Sequence, residues 1–235
     1  MQKKNIIPVT LGLMLMASMS HTYAAEIDSS IARGGKLYDK WYKVTAAEKP
    51  AETHPAWPAS NTKKKGDVTH RCKSCHGWDL MGKDGAYSSG SYQTGIKGLT
   101  AMKGASNDKV IAIMNDSTHG YKGKMNDQDF TDLANFVTKG QFDIDAVIDR
   151  KTKLAKGNKA QGERYFNTVC AGCHDKTGTK PKDMPALGGL ANKNPWEIIQ
   201  KILNGQPDEQ MPAMRAFDLQ VSVDILAYMQ TLPQK

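Results

Sequence analysis

Apolar residues recur at helical spacing in several separate segments of the chain. The first segment predicts a helix over residues 30–44, which carries Trp41 and Tyr42 on its apolar side and has Ser29 or Ser30 as its cap. The aromatic residues of this helix are interpreted as core. A helix that is apolar on one side must bury that side against other elements, so the segment belongs to a packed domain.

The other helical patterns fall into two similar sets. Short helices are predicted over residues 109–114 and 196–203, and each is followed by an amphipathic helix, over residues 129–139 and 221–232. A short helix and a longer closing helix therefore occur twice in the same order. The fold class predicted from these patterns is all-α, with an internal duplication.

The N-terminal segment has the organisation of a secretory signal peptide. Lys3 and Lys4 precede an apolar run over residues 6–20, and small residues lead to Ala24. The run of about 15 residues is shorter than the roughly 20 that a membrane-spanning helix needs. We therefore expect a signal peptide over residues 1–24 and a mature chain with no integral membrane segment.

Composition and charge narrow the functional class. The chain has 235 residues, 32 of them Lys or Arg and 24 Asp or Glu, and 39% are hydrophobic. These values are ordinary for a globular protein. The basic surplus is spread along the chain, and export removes the opportunity to bind nucleic acid, so no nucleic-acid partner is expected. The length after removal of the signal fits two small domains.

All four cysteines belong to two copies of the pattern Cys-X-X-Cys-His, which is the attachment signature of c-type haem. Two thiols on one helical turn can each form a thioether with a haem vinyl group, and the next imidazole reaches the iron. The sequence therefore predicts two covalently bound haem c groups. The attachment residues are Cys72, Cys75, Cys170 and Cys173, and the proximal iron ligands are His76 and His174.

Other uses of paired cysteines fit the pattern poorly. A zinc site, two short disulfides and thioredoxin-like redox pairs would not require a histidine after each second cysteine. Structural zinc pairs usually lie about 15 to 20 residues apart, whereas these motifs are separated by almost a hundred residues. We therefore keep the haem interpretation.

The elements around the two motifs predict the domain boundaries. Domain 1 is expected over residues 25–140, a linker over 141–155 and domain 2 over 156–235. Gly162 precedes the second motif and Gly35 is taken as its counterpart before the first. Domain 1 also has a Pro-, Ser- and Lys-rich loop insertion at about residues 45–70, which either covers a haem edge through Trp57 or is solvated.

With both motifs and the helix order in view, each half resembles a class I cytochrome c domain, and the whole chain resembles a two-domain dihaem cytochrome of the cytochrome c4 type. The resemblance covers nearly all of the mature chain. It implies two tandem all-helical domains, each wrapped around one covalent haem. It also implies a distal methionine ligand in domain 2, which matches Met211 with Met214 as the alternative. Finally, it implies a proline carbonyl, at Pro185, that orients His174.

The distal ligand of the first haem departs from that pattern. His119 lies 17 residues before Phe136, the same interval that separates Met211 from Tyr228. Met125, the alternative, directly precedes the expected helix cap Asn126 and has little loop with which to reach the iron. His119 is therefore preferred. His54, in the long loop, is a further candidate, and His70 is interpreted as structural or exposed.

The expected function is that of a periplasmic one-electron carrier without catalytic residues. Its partners would be redox proteins, namely an oxidoreductase or quinol enzyme and a downstream acceptor. A six-coordinate iron leaves no place for a substrate, so the chain is not expected to be an enzyme. The alternative is a role in sulfur-compound oxidation of the thiosulfate type. Catalytic proteins of that kind use a cysteine as the distal ligand, and here every cysteine is used for attachment.

Overall fold

The computed structural model describes the backbone of residues 10–235 and the side chains from residue 25 onward. Of the predicted signal peptide, residues 1–9 and the side chains of residues 10–24 therefore lie outside the described part. Within residues 10–235 the chain is helical and contains no β-strand beyond two isolated bridges, which confirms the all-α class. None of the helices described is both long enough and apolar enough to cross a membrane.

Residues 10–235 form ten α-helices, which are connected by loops, two short 3₁₀ helices and one π-helical turn. The helices are α1 Thr10–Val44, α2 Cys72–His76, α3 Asn107–Met114, α4 Asp127–Lys139, α5 Ile144–Val147, α6 Lys159–Tyr165, α7 Ala171–His174, α8 Leu187–Lys193, α9 Pro195–Asn204 and α10 Leu219–Met229. The 3₁₀ helices are Gly66–His70 and Thr100–Met102, and the π turn is Phe166–Cys170.

The helices predicted from periodicity are confirmed, with shifted ends. Ser29 and Ser30 lie inside α1, so the expectation that one of them caps this helix is wrong. Helix α4 begins two residues earlier than expected because Asn126 and Asp129 form a reciprocal capping box. Helix α10 likewise begins after Asp218, whose side chain accepts a hydrogen bond from the Gln220 N–H. In α1 the helical geometry is interrupted at Lys40. Side-chain caps therefore set the first residue of α4 and of α10, which the apolar pattern alone places two positions too late.

Two apolar cores organise the fold. The first is built from α1, α3 and α4. The second is built from α6 and α8–α10, and it also contains Trp78 and Tyr87 from the first half. Ile144 and Ile148, in the segment predicted as a linker, are buried in this second core. The two halves therefore share core residues, and the predicted domain limits stay a prediction.

Each core contains a close helix crossing at a glycine. A Cβ on Gly34 of α1 would lie 2.1 Å from the Asp132 carbonyl oxygen of α4, and one on Gly162 of α6 would lie 1.9 Å from the Asp224 carbonyl oxygen of α10. Such distances leave no room for a side chain. The counterpart of Gly162 is therefore Gly34, and the expectation of Gly35 is wrong by one position.

Gly35 has a different role because it faces the other half of the molecule. A Cβ there would lie 2.3 Å from the side-chain Cγ of Asn204, at the end of α9. The aromatic pairs at the two crossings also correspond. Tyr38 and Phe136 have ring centroids 5.1 Å apart, and Phe166 and Tyr228 have centroids 5.5 Å apart. The duplication read from the sequence thus extends to the packing of side chains.

Replacing Gly162 by alanine is expected to lower the free energy of unfolding by about 1–3 kcal/mol, since the new methyl group overpacks the α6–α10 crossing. Ala160→Ser is the control, because it also adds one atom to α6 but at an exposed position. Chemical denaturation of both variants measures the difference. Equal stability of the two would contradict the close approach.

A buried ion cluster joins the halves near the first cysteine motif. Asp39 of α1 accepts hydrogen bonds from Arg71, directly before Cys72, and from Lys201 of α9. The Asp39 side chain is only 3% exposed. Because an unpaired buried charge is costly, this carboxylate fixes α1, α9 and the first motif relative to one another.

Candidate functional site

The first cysteine motif lies on a single short helix. Cys72, Cys75 and His76 share α2, which ends at Gly77 in a positive-φ conformation (φ 83°) that favours glycine. Both thiols are free in the part of the chain that the structure describes. Burial raises the pKa of each thiol to about 12. Two neutral, unpaired thiols one turn apart fit the covalent attachment of one haem.

The imidazole of His76 is oriented by a backbone carbonyl. Its Nδ1 lies 2.8 Å from the carbonyl oxygen of Lys97 and donates its hydrogen there. A neutral imidazole that donates from Nδ1 has its Nε2 lone pair free for a metal. Burial lowers the pKa of His76, so the neutral form is favoured. His76 is therefore in the protonation state that an iron ligand requires.

The rings of His119 and His76 are neighbours and nearly parallel. The two ring centroids are 6.3 Å apart and the ring planes differ by 17°. With a metal–nitrogen bond of about 2 Å on each side and about 1 Å from nitrogen to ring centre, two imidazoles on one metal have centres about 6 Å apart. The pair thus has the spacing of two axial ligands on one iron.

The Nδ1 of His119 is also held by an acceptor. It lies 3.0 Å from Asp116 Oδ1, and the same oxygen accepts the His119 backbone N–H at 2.8 Å. The ring is therefore anchored through Nδ1, so Nε2 is the nitrogen available to a metal. A carboxylate that accepts a hydrogen bond from a ligand imidazole fixes the tautomer and the orientation of its ring.

The alternative donors of the first half occupy other positions. Met125 is 9% exposed and belongs to the first core, directly before the cap of α4. His54 has both ring nitrogens engaged, with Nε2 3.1 Å from the His119 carbonyl oxygen and Nδ1 accepting from the Ala56 N–H at 3.1 Å. The expectation that His54 is a ligand candidate is therefore corrected. His70, expected to be structural or exposed, is buried.

The second motif is arranged differently. Cys170 ends the π-helical turn, and Cys173 and His174 lie on α7. The Nδ1 of His174 lies 3.1 Å from the carbonyl oxygen of Lys180. Pro185, which was expected to supply that carbonyl, is exposed and makes no such bond. The carbonyl that reaches His174 belongs to Lys180, five residues before Pro185. The expectation for Pro185 is therefore corrected.

The distal loop of the second half connects α9 to α10. Met211 is half-buried there and precedes Pro212. Met214 is 5% exposed, lies in the second core, and donates its backbone N–H to the Ile202 carbonyl oxygen at 3.1 Å. Met214 is thus fixed by packing against α9, whereas Met211 lies in the more accessible part of the loop.

Three residues that orient the candidate ligands were missed from the sequence. Lys97 and Lys180 act through their backbone carbonyl oxygens. Every residue has such an oxygen, so the residue type cannot show which one will accept the histidine hydrogen. Asp116 has a signal that can be used, because it lies three residues before His119 in the sequence Asp-Ser-Thr-His. An aspartate at that spacing caps a turn and can receive the histidine Nδ1–H.

The comparison with known families bears on the second half. Residues 157–229 match the family described as cytochrome C oxidase, cbb3-type, subunit III.

The second half contains a c-type cytochrome domain.

A c-type cytochrome domain implies covalently bound haem c and indicates electron transfer. The match includes the second cysteine motif, Met211 and helices α6 and α8–α10. No curated protein and no solved structure matches the chain. For residues 25–156 the argument therefore rests on the first motif and on the geometry of His76 and His119.

Proposed function

We propose that the protein is an exported dihaem cytochrome c, similar in layout to cytochromes of the c4 type, which carries single electrons between redox proteins. The observation that carries the proposal is the facing pair of imidazoles. His76 follows a Cys-X-X-Cys motif, and its ring lies 6.3 Å from that of His119 at 17°. The first half therefore has the elements of a second haem site beside the one in the c-type cytochrome domain.

The two sites would hold their haems with different ligands. Cys72 and Cys75 would attach the first haem, and His76 and His119 would bind its iron. In the second site Cys170 and Cys173 would attach the haem, and His174 and Met211 would bind its iron. When bound, such a haem supplies reversible one-electron oxidation and reduction of its iron.

The protein residues would set the potentials of the two haems. Methionine ligation raises the potential of a haem relative to bis-histidine ligation, and axial ligands span about 0.8 V across haem proteins. The Nδ1–H bonds of His76 and His119 fix the tautomer and the orientation of both rings. We therefore infer that the first haem has the lower potential and the second the higher.

The proposed location is the periplasm, to which the signal peptide would direct the chain. The proposed partners are two redox proteins, one that donates electrons to this protein and one that accepts them. Six-coordinate irons leave no position for a substrate, which supports a carrier over an enzyme. The sulfur-oxidation alternative would require a cysteine as a distal ligand. All four cysteines belong to the attachment motifs, so we do not extend the proposal to that chemistry.

Haem counting and redox titration test the proposal. We expect the mass of the mature protein to include two haem groups. The double variant Cys72→Ser, Cys75→Ser should lose one haem, and Cys170→Ser, Cys173→Ser should lose the other. A potentiometric titration of the unaltered protein should show two separate one-electron steps. One haem, or two haems with equal potentials, would contradict the proposal.

A further inference from the structure

The loop insertion of the first half folds onto the segment that carries His119. His54, in this insertion, is 8% exposed, although the residues on either side of it are exposed or half-exposed. Its backbone N–H donates to Thr69 Oγ1 at 2.9 Å, and the Thr69 hydroxyl donates to the Gly66 carbonyl oxygen at 2.6 Å. The insertion is thus fixed internally, and it points one imidazole inward.

The hydrogen bonds of His54 determine its tautomer. Nδ1 accepts the backbone N–H of Ala56 at 3.1 Å, so Nδ1 has no hydrogen. The hydrogen of the neutral ring is therefore on Nε2, which lies 3.1 Å from the carbonyl oxygen of His119. His54 consequently donates a hydrogen bond to the backbone of the proposed distal ligand.

A second bond connects the same two segments. The hydroxyl of Tyr121, two residues after His119, donates to the His70 carbonyl oxygen at 2.8 Å, which also accepts the Trp41 Nε1–H at 3.1 Å. The rings of His54 and His70 meet edge to face with centroids 4.8 Å apart. The segment from His119 to Tyr121 is therefore held at two points, and one of them lies two residues before Cys72.

We propose that His54 is a positioning residue, which holds His119 on the iron of the first haem and keeps that iron closed to external ligands. The inference rests on the proposed ligation by His119. The insertion holds residues 119–121 through two hydrogen bonds, one from His54 and one from Tyr121. We call this pair of bonds the clamp, and residues 119–121 the distal segment. The second half has no corresponding insertion, so its haem serves as an internal reference.

Carbon monoxide binding to the reduced protein tests the clamp. For CO to bind, the distal ligand must first leave the iron, and the loss of one buried hydrogen bond favours that departure. We expect CO to bind the first haem of His54→Leu about tenfold faster than that of the unaltered protein. His54→Gln, whose amide can still donate, should react at the unaltered rate. The second haem reacts alike in all variants, so differences report on the first.

A pair of tyrosine variants provides a matched control. Tyr121→Phe removes the second point of the clamp and should also accelerate CO binding. Tyr42→Phe removes a similar bond, from the Tyr42 hydroxyl to Asp67 Oδ2 at 2.7 Å, which does not involve the distal segment. It should leave the rate unchanged. These variants test the clamp even if His54→Leu fails to fold.

The outcomes separate the clamp from the ligation. If the oxidised protein shows bis-histidine ligation but His54→Leu or Tyr121→Phe reacts at the unaltered rate, the clamp is overturned and the proposed ligation stands. Acceleration by Tyr42→Phe as large as that by Tyr121→Phe would also overturn it, because the effect would then be general loosening. If bis-histidine ligation is absent, the proposed ligation fails and the inference fails with it.

Discussion

Replacing His119 by alanine is expected to convert half of the haem iron from six-coordinate low-spin to five-coordinate high-spin. The ring of His119 faces that of His76 at the spacing of two ligands on one metal, and alanine provides no donor. The absorption spectrum of the oxidised variant should therefore show one high-spin and one low-spin haem. Added imidazole should restore the low-spin spectrum by occupying the vacated position.

Met125→Leu is the control for His119→Ala, because it removes the competing donor while nearly conserving the side-chain volume. Met125 lies in the first core, and an exchange of this kind usually costs less than about 1.5 kcal/mol. We expect both haems of Met125→Leu to stay low-spin. A high-spin haem in Met125→Leu together with an unchanged spectrum in His119→Ala would assign the ligand to Met125 instead.

Asp39→Asn is expected to cause a large loss of stability, about 3–5 kcal/mol, because the cations of Arg71 and Lys201 would lose their shared buried partner. Both cations are themselves mostly buried, with side chains 17% and 13% exposed. Denaturant titration at neutral pH measures the change. The control is Asp208→Asn, which removes an ion pair with Lys43 that also joins α1 to the second half but is more than half exposed. Its unfolding should be unchanged.

The loss should depend on pH in a defined direction. Burial alone raises the pKa of Asp39, but the charges of Lys201 and Arg71 outweigh it and hold the pKa below its ordinary value. A lowered pKa contributes stability that is fully present above the unfolded value of about 3.9 and is lost as the pH falls through the folded value. The difference between the unaltered protein and Asp39→Asn should therefore shrink below about pH 4. A difference that grows in acid would contradict the ion cluster.

The sequence predicts the helices and the attachment motifs because both depend on local order along the chain. Apolar spacing predicts α3, α4, α9 and α10. The interval of 17 residues between His119 and Phe136, the same as that between Met211 and Tyr228, favours His119 as a ligand. Capping side chains set the helix ends two residues away from the apolar pattern, as at Asn126. Local patterns therefore identify these four helices and the attachment motifs.

Features that depend on distant contacts could not be predicted in the same way. Gly34 and Gly35 are adjacent and alike in sequence, and only the crossing with α4 shows that Gly34 is the counterpart of Gly162. The path of the loop after His174 brings the carbonyl of Lys180, and not that of Pro185, to the His174 ring. The position of His54 against His119 joins residues 65 apart in the chain.

The low-temperature electron paramagnetic resonance spectrum of the air-oxidised mature protein tests the central claim most directly, because it reports the spin state and axial ligands of both irons in one sample. We expect two low-spin signals of equal intensity, one typical of bis-histidine ligation by His76 and His119 and one typical of ligation by His174 and Met211. Two histidine–methionine signals, or a substantial high-spin signal, would contradict the account.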